Sequence, residues 1–130
     1  MSNKALISIV DDDDSVREAT RGLMSALGFT AEAFASGDDF LQSGRVQGTS
    51  CLIVDMQMPG MTGLELHARL VASGRAIPTI LITAYPDNRG RAHASDAGIT
   101  YYLTKPFSED ALLACIRSAL EPGQTVRPAL

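Results

Sequence analysis

Ala5-Leu6-Ile7-Ser8-Ile9-Val10-Asp11-Asp12 is an almost unbroken apolar run that ends abruptly in two carboxylates. A strand with one wet face alternates apolar and polar residues. A run this continuous belongs instead to a strand covered on both faces, as in a parallel sheet. The pattern recurs at 51–54, where Cys51-Leu52-Ile53-Val54 leads into Asp55, and at 77–82, where Ile77-Pro78-Thr79-Ile80-Leu81-Ile82 leads into Thr83. Residues 30–35 alternate small and larger side chains around Glu32, which suits an edge strand. Residues 99–104, rich in β-branched and aromatic side chains, read as a fifth strand.

Helix-period segments separate these runs. Ser15 and Glu18 have the spacing of a capping box, Val16, Ala19, Leu23 and Leu27 follow on one face, and Gly28 closes the helix. Ser36 opens a short second helix through Phe40 and Leu41. Leu64, Ala68 and Val71 line a third, which stops at Gly74. Residues 87–97 read as a fourth helix, weakened by Gly90 at its centre. Ser108 caps the last, where Leu112, Ile116 and Ala119 recur at helical spacing. Five strands alternating with five helices predict an α/β fold: a doubly wound five-stranded parallel sheet with right-handed crossovers. Residues 1–121 are expected to form the domain, and 122–130, with Pro122, Gly123 and Pro128, a C-terminal tail or the start of a linker.

Composition narrows the function. At 130 residues, 45% hydrophobic and 20% charged, the chain is one ordinary globular domain and not a disordered segment. Eleven Lys and Arg against 15 Asp and Glu leave a net charge of −4. That argues against direct nucleic-acid binding by a broad basic face. No apolar run reaches the length of a membrane span, and Met1-Ser2-Asn3-Lys4 lacks a signal-peptide pattern. Cys51 and Cys115 read as buried free thiols in a reducing compartment, without metal-ligand spacing. The expected location is cytoplasmic. His67 and His93 are expected to be solvent-exposed, and Met56, Met58 and Met61 to pack around a loop.

The polar residues carry the chemistry. Asp11 and Asp12 follow the first strand, Asp55 ends the third, Thr83 the fourth and Lys105 the fifth. In a parallel sheet all strand carboxyl ends share one edge, so these groups converge in the crevice where such folds bind ligands. Two unit charges about 4 Å apart repel by roughly 4 kcal/mol at an effective dielectric near 20. Three carboxylates at one mouth therefore call for cations. Lys105 supplies one, and Mg²⁺ suits a site of few carboxylates with a phosphate ligand. Such a site can hold a phosphoryl group in line with a carboxylate nucleophile, for which Asp55 on a central strand fits best.

Val10-Asp11-Asp12, Val54-Asp55-Met56-Gln57-Met58-Pro59-Gly60-Met61-Thr62-Gly63, Thr83-Ala84 and Lys105-Pro106-Phe107 together resemble the receiver domain of bacterial two-component response regulators, in its FixJ-like subgroup. The resemblance runs from about Leu6 to Leu120. It implies the strand order 2-1-3-4-5 of the flavodoxin- and CheY-like (βα)5 fold. It also implies a Mg²⁺ (or Mn²⁺) site made by Asp11, Asp12, Asp55 and the Gln57 carbonyl, and phosphorylation of Asp55 by a sensor histidine kinase or phosphotransfer protein. Thr83 and Lys105 then grip the phosphoryl oxygens, and the Lys105–Pro106 bond is cis. Thr83 and Tyr102 match the switch pair that reshapes the face of helix four, strand five and helix five for an output domain, an effector protein or a homodimer. Gln57 and Tyr85 match the positions that tune dephosphorylation, so the resemblance implies a phosphoacceptor signalling domain and not an enzyme, with self-catalysed phosphoryl transfer and, with a bulky Tyr85, an expected slow self-catalysed hydrolysis.

Three other readings compete. Asp12-Asp13-Asp14-Ser15-Val16 matches the nucleophile motif of haloacid-dehalogenase-type phosphatases, but the chain is short for one and the 55–63 block would stay unexplained. A calcium EF-hand fails because Val16 and Gly22 stand where its glycine and glutamate belong. A pure interaction module is disfavoured by the intact set of Asp11, Asp12, Asp55, Thr83 and Lys105.

Overall fold

Five parallel strands form one sheet in the order β2-β1-β3-β4-β5. The computed structural model describes residues 5–99 and 101–120, so the expected tail and Thr100 of the predicted fifth strand lie outside the described residues. In chain order the elements are β1 (Leu6–Val10), α1 (Asp14–Ala26), β2 (Thr30–Phe34), α2 (Gly37–Gln42), β3 (Cys51–Asp55), α3 (Gly63–Ala72), β4 (Thr79–Thr83), α4 (Asn88–Asp96), β5 (Tyr101–Thr104) and α5 (Glu109–Leu120). Among the described residues, no helix is long and apolar enough to cross a membrane.

The unbroken apolar strands have the predicted cause. Successive side chains of a strand point to opposite faces, and both faces here are covered. Ile7, Ile9, Cys51, Ile53, Ile80 and Ile82 pack with Met24 of α1 and with Leu112, Ile116 and Ala119 of α5. Val10, Leu52, Val54 and Leu81 pack on the other side with Phe40 of α2, Leu66 and Leu70 of α3, and Ala94 of α4. Truncating one such buried leucine to alanine typically costs about 2–5 kcal/mol. These two layers hold the strand ends, and so the site, in register. Met56, Met58 and Met61 join the second layer as expected.

Several helix details differ from expectation. The cap of α1 is Asp13, whose carboxylate accepts from the Ser15 and Val16 N–H groups at 2.9 and 3.1 Å. An ionised acceptor serving two amides starts the helix earlier than the Ser15–Glu18 box would, and Glu18 pairs with Arg21 instead. The buried residues of α1 are Thr20 and Met24. Ala19 and Leu27 are exposed, and Val16, Ala19 and Leu23 line an apolar cleft of about 550 Å³ with Pro106 and Phe107.

The capping box belongs to α3, where Thr62 and Glu65 each accept the other's backbone N–H. That helix turns a different face inward: Gly63, Leu66, His67 and Leu70 are buried, whereas Ala68 is exposed and Val71 is 56% exposed. Gly63 explains the rotation. A Cβ there would stand 2.6 Å from the Asp55 carbonyl oxygen and 2.9 Å from Leu81 Cδ1, so only a glycine lets the first turn seat against β3.

His67 is therefore buried and not exposed as expected, while His93 is exposed. Cys51 is buried and burial pushes its thiol up to about 12, but Cys115 is only half-buried; both are free.

At 9% exposure, His67 has no hydrogen-bond partner at Nδ1 among the described residues. Burial lowers its imidazole below the ordinary 6.5, so the folded chain resists a proton that the unfolded chain takes up. This contribution to stability is complete above 6.5 and is lost as pH falls toward the lower folded value. We expect the urea midpoint to drop between pH about 7.5 and about 5.5 by more in the parent than in His67→Leu. Equal drops in the two proteins would clear His67 of this role.

Candidate functional site

Asp55 and Thr83 end β3 and β4, and Asp11 and Lys105 directly follow β1 and β5, so parallel pairing places all four at one edge of the sheet. The Lys105 ammonium donates to Asp55 Oδ2 at 2.9 Å and to Asp11 Oδ2 at 3.3 Å. Asp11 and Asp55 are buried and Asp12 is exposed, and one carboxylate oxygen of each lies within 4.8 Å of those of the other two. β2, at the sheet edge beyond β1, sends no side chain to the cluster.

The loop after β1 is pinned from several sides. The Asp11 N–H donates to the Phe34 carbonyl at 3.1 Å, and Asp11 Oδ1 accepts from the Asp13 N–H at 2.9 Å. The Asp11 carbonyl accepts from Arg17 Nη1 at 2.7 Å, and the same guanidinium pairs with Asp14. Sequence reading missed Arg17. Its signal was its position one turn into α1, which returns a long cation toward the loop that the helix begins from.

Asp55 is equally constrained. Its Oδ1 accepts from the Gln57 N–H at 3.0 Å, and the Met56 N–H donates to the Ile82 carbonyl at 2.7 Å. The Gln57 side chain reaches Thr83 instead: Thr83 Oγ1 donates to Gln57 Oε1 at 2.8 Å and accepts from the Tyr85 N–H at 3.0 Å. Thr83 is fully buried, whereas the Tyr85 side chain is 74% exposed. The Lys105 N–H donates to the Thr83 carbonyl at 2.8 Å, which closes β4 onto β5, and the Lys105–Pro106 peptide is cis as the resemblance implies.

Tyr102 is half-buried, with its hydroxyl 3.9 Å from Met56 Sδ and the Arg91 guanidinium 4.5 Å from its ring centroid. Gly90, read from sequence only as a helix-weakening residue, is a close-approach position. A Cβ there would stand 3.0 Å from Met56 Cε and 3.3 Å from the Tyr102 hydroxyl. The link from Met56, beside Asp55, to Tyr102 and α4 had no local sequence signal.

Charge dominates the mouth. Burial raises the Asp11 carboxyl above its ordinary value; the Asp13 N–H and Lys105 oppose this, and the nearby Asp55 charge adds to it. Burial alone would lower Lys105, but its hydrogen bond to Asp55 and the charges of Asp11 and Asp55 outweigh that, so the ammonium is held above its ordinary value. Three carboxylates with one ammonium still leave net negative charge. The donor set is all hard oxygen, as a Mg²⁺ or Mn²⁺ ion requires, and Asp11, Asp12 and Asp55 are the residues that could hold it.

This fold and edge define a chain of the response-regulator class, and the comparisons agree. Residues 7–117 match the family described as response regulator receiver domain, and the chain belongs to that family. It is 39% identical to response regulator protein TodT of Pseudomonas putida over 93% of the chain and 54% of that protein. It is also 33% identical to the transcriptional regulatory protein FixJ of Azorhizobium caulinodans over 88% of the chain and 54% of that protein. The chain thus spans about half the length of the curated relatives it matches. Among solved structures, response regulator StyR superposes with a TM-score of 0.83 at 42% identity, over 91% of this chain and 60% of that one. FixJ-N superposes at 0.81 and 27% identity, over 99% and 100%.

The acidic cluster has a direct thermodynamic test. Mg²⁺ at about ten times its Kd stabilises a protein that binds it only when folded by about 1.4 kcal/mol. We expect calorimetry to record a matching rise in Tm for the parent and none for Asp12→Ala. An equal rise in both would remove Asp12 from the ligand set.

Proposed function

We propose that this receiver domain, spanning 1–121, accepts a phosphoryl group on Asp55 from the phosphohistidine of a sensor histidine kinase or phosphotransfer protein. The observation that carries this is the meeting of the Asp55 carboxylate with Lys105 at 2.9 Å inside the Asp11–Asp12–Asp55 cluster. Asp11, Asp12, Asp55 and the Gln57 carbonyl are the proposed ligands of Mg²⁺ or Mn²⁺. Bound there, the cation supplies positive charge to the phosphoryl oxygens. The chain's own groups do the rest. The P–N bond to the donor imidazole breaks as a P–O bond to an Asp55 oxygen forms, and the released imidazole takes up a proton. Lys105 holds Asp55 in place and then donates to the transferred group, and Thr83 adds its hydroxyl.

Phosphorylation replaces the single carboxylate charge of Asp55 with roughly two on the phosphoryl oxygens, at a mouth already short of cations. Recruiting Thr83 toward them draws on β4, and Tyr102 on the neighbouring β5 is the proposed second half of the switch. The face of α4, β5 and α5 then changes its population of packings and so its affinity for an output domain, an effector or a second copy of the chain. Residues 122–130 are the proposed tail or linker to such a domain.

Acetyl phosphate with Mg²⁺, followed by mass spectrometry, is expected to add one phosphate to the parent and none to Asp55→Asn or without metal. A labelled residue other than Asp55 would defeat the proposal. The Tyr85 ring is 74% exposed and packs on neither core layer among the described residues, which leaves it free to shield the phosphoaspartate from water. Radiolabel decay is accordingly expected to be faster in Tyr85→Ala than in the parent, and unaltered decay would dismiss the shield.

A further inference from the structure

We propose that Gln57 acts as a latch on Thr83, a positioning residue that holds the hydroxyl away from the phosphoryl group until phosphorylation displaces it. The proposal rests on the phosphoacceptor reading of Asp55.

The argument is one of hydrogen-bond capacity. A threonine hydroxyl has one proton to give. In this structure that proton goes to Gln57 Oε1 at 2.8 Å, while the Tyr85 N–H occupies Oγ1 from the other side at 3.0 Å. Thr83 is fully buried, so water does not replace a lost partner readily. A phosphoryl group offers acceptor oxygens only. Thr83 can therefore donate to the phosphoryl group only by leaving Gln57, and the two bonds exclude each other.

Gln57 is well placed to couple the two events. Its backbone N–H donates to Asp55 Oδ1 at 3.0 Å, so one residue touches the acceptor carboxylate with its main chain and the hydroxyl with its side chain. Its side chain is otherwise exposed, so after release the amide returns to water at little cost. The latch thus opposes the active arrangement by about the net value of one neutral hydrogen bond, equivalent to roughly fivefold in an equilibrium constant.

Beryllofluoride is the probe, because it mimics the phosphoryl group on a carboxylate without the hydrolysis that complicates phosphoaspartate. Its apparent Kd is measured by nuclear magnetic resonance with Mg²⁺ present, for the parent, Gln57→Met, Thr83→Ala and the double variant. Methionine keeps the length and main chain of Gln57 but removes the strong acceptor. The expected result is about fivefold tighter binding in Gln57→Met than in the parent, with no gain from the same change in the Thr83→Ala background. The Tyr85 amide resonance should also shift toward its beryllofluoride-bound position in Gln57→Met before any probe is added. Unchanged or weaker binding in Gln57→Met, or the same gain with and without Thr83, would overturn the latch. A parent that takes up no beryllofluoride would overturn the phosphoacceptor reading itself, a result distinct from a failed latch.

Discussion

A single ammonium group stands between two buried carboxylates, and the site depends on it. Without Lys105, Asp11 and Asp55 would face each other across a poorly solvated mouth, where unit charges about 4 Å apart repel by roughly 4 kcal/mol. With it, both are held at hydrogen-bonding distance, 3.3 and 2.9 Å. One ammonium does not neutralise three carboxylates. The residual negative charge at the mouth is what suits the edge to a divalent cation.

The sheet supplies the geometry that this electrostatic arrangement needs. Lys105 lies 50 residues from Asp55 and 94 from Asp11. Parallel pairing brings their strands' carboxyl ends to one edge, and two apolar layers keep the strands from sliding. The loops are then tied down individually. Asp11 is anchored through its N–H, its carbonyl and both carboxylate oxygens, and Asp55 through both of its oxygens. Gly63 lets α3 press on the Asp55 carbonyl, so helix packing bears on Asp55 through a backbone contact.

Much of this was legible in the sequence. Uninterrupted apolar strands announced a sheet covered on both faces, and their polar ends announced a site. Helix rotation was less legible. Val71 looked like a core residue of α3 and is 56% exposed, because the seating of Gly63 turns Leu66, His67 and Leu70 inward. The α1 stripe differs in a similar way, since Val16, Ala19 and Leu23 line an open cleft beside Lys105 and, of the three, Leu23 also packs on the core. The capping box at Thr62–Glu65 had the same local signature as Ser15–Glu18, and only the former forms.

The sequence by itself determined the element types, the parallel sheet and the group of residues that share its carboxyl edge, since each follows from local periodicity and from where a strand stops. The tertiary structure alone decided how each helix is rotated, that Arg17 braces Asp11, and that the hydroxyl of Thr83 is spent on Gln57. The physical reason is range. Periodicity is a property of neighbours along the chain, whereas rotation and hydrogen-bond partnership depend on which atoms from distant segments first exclude or satisfy one another in space.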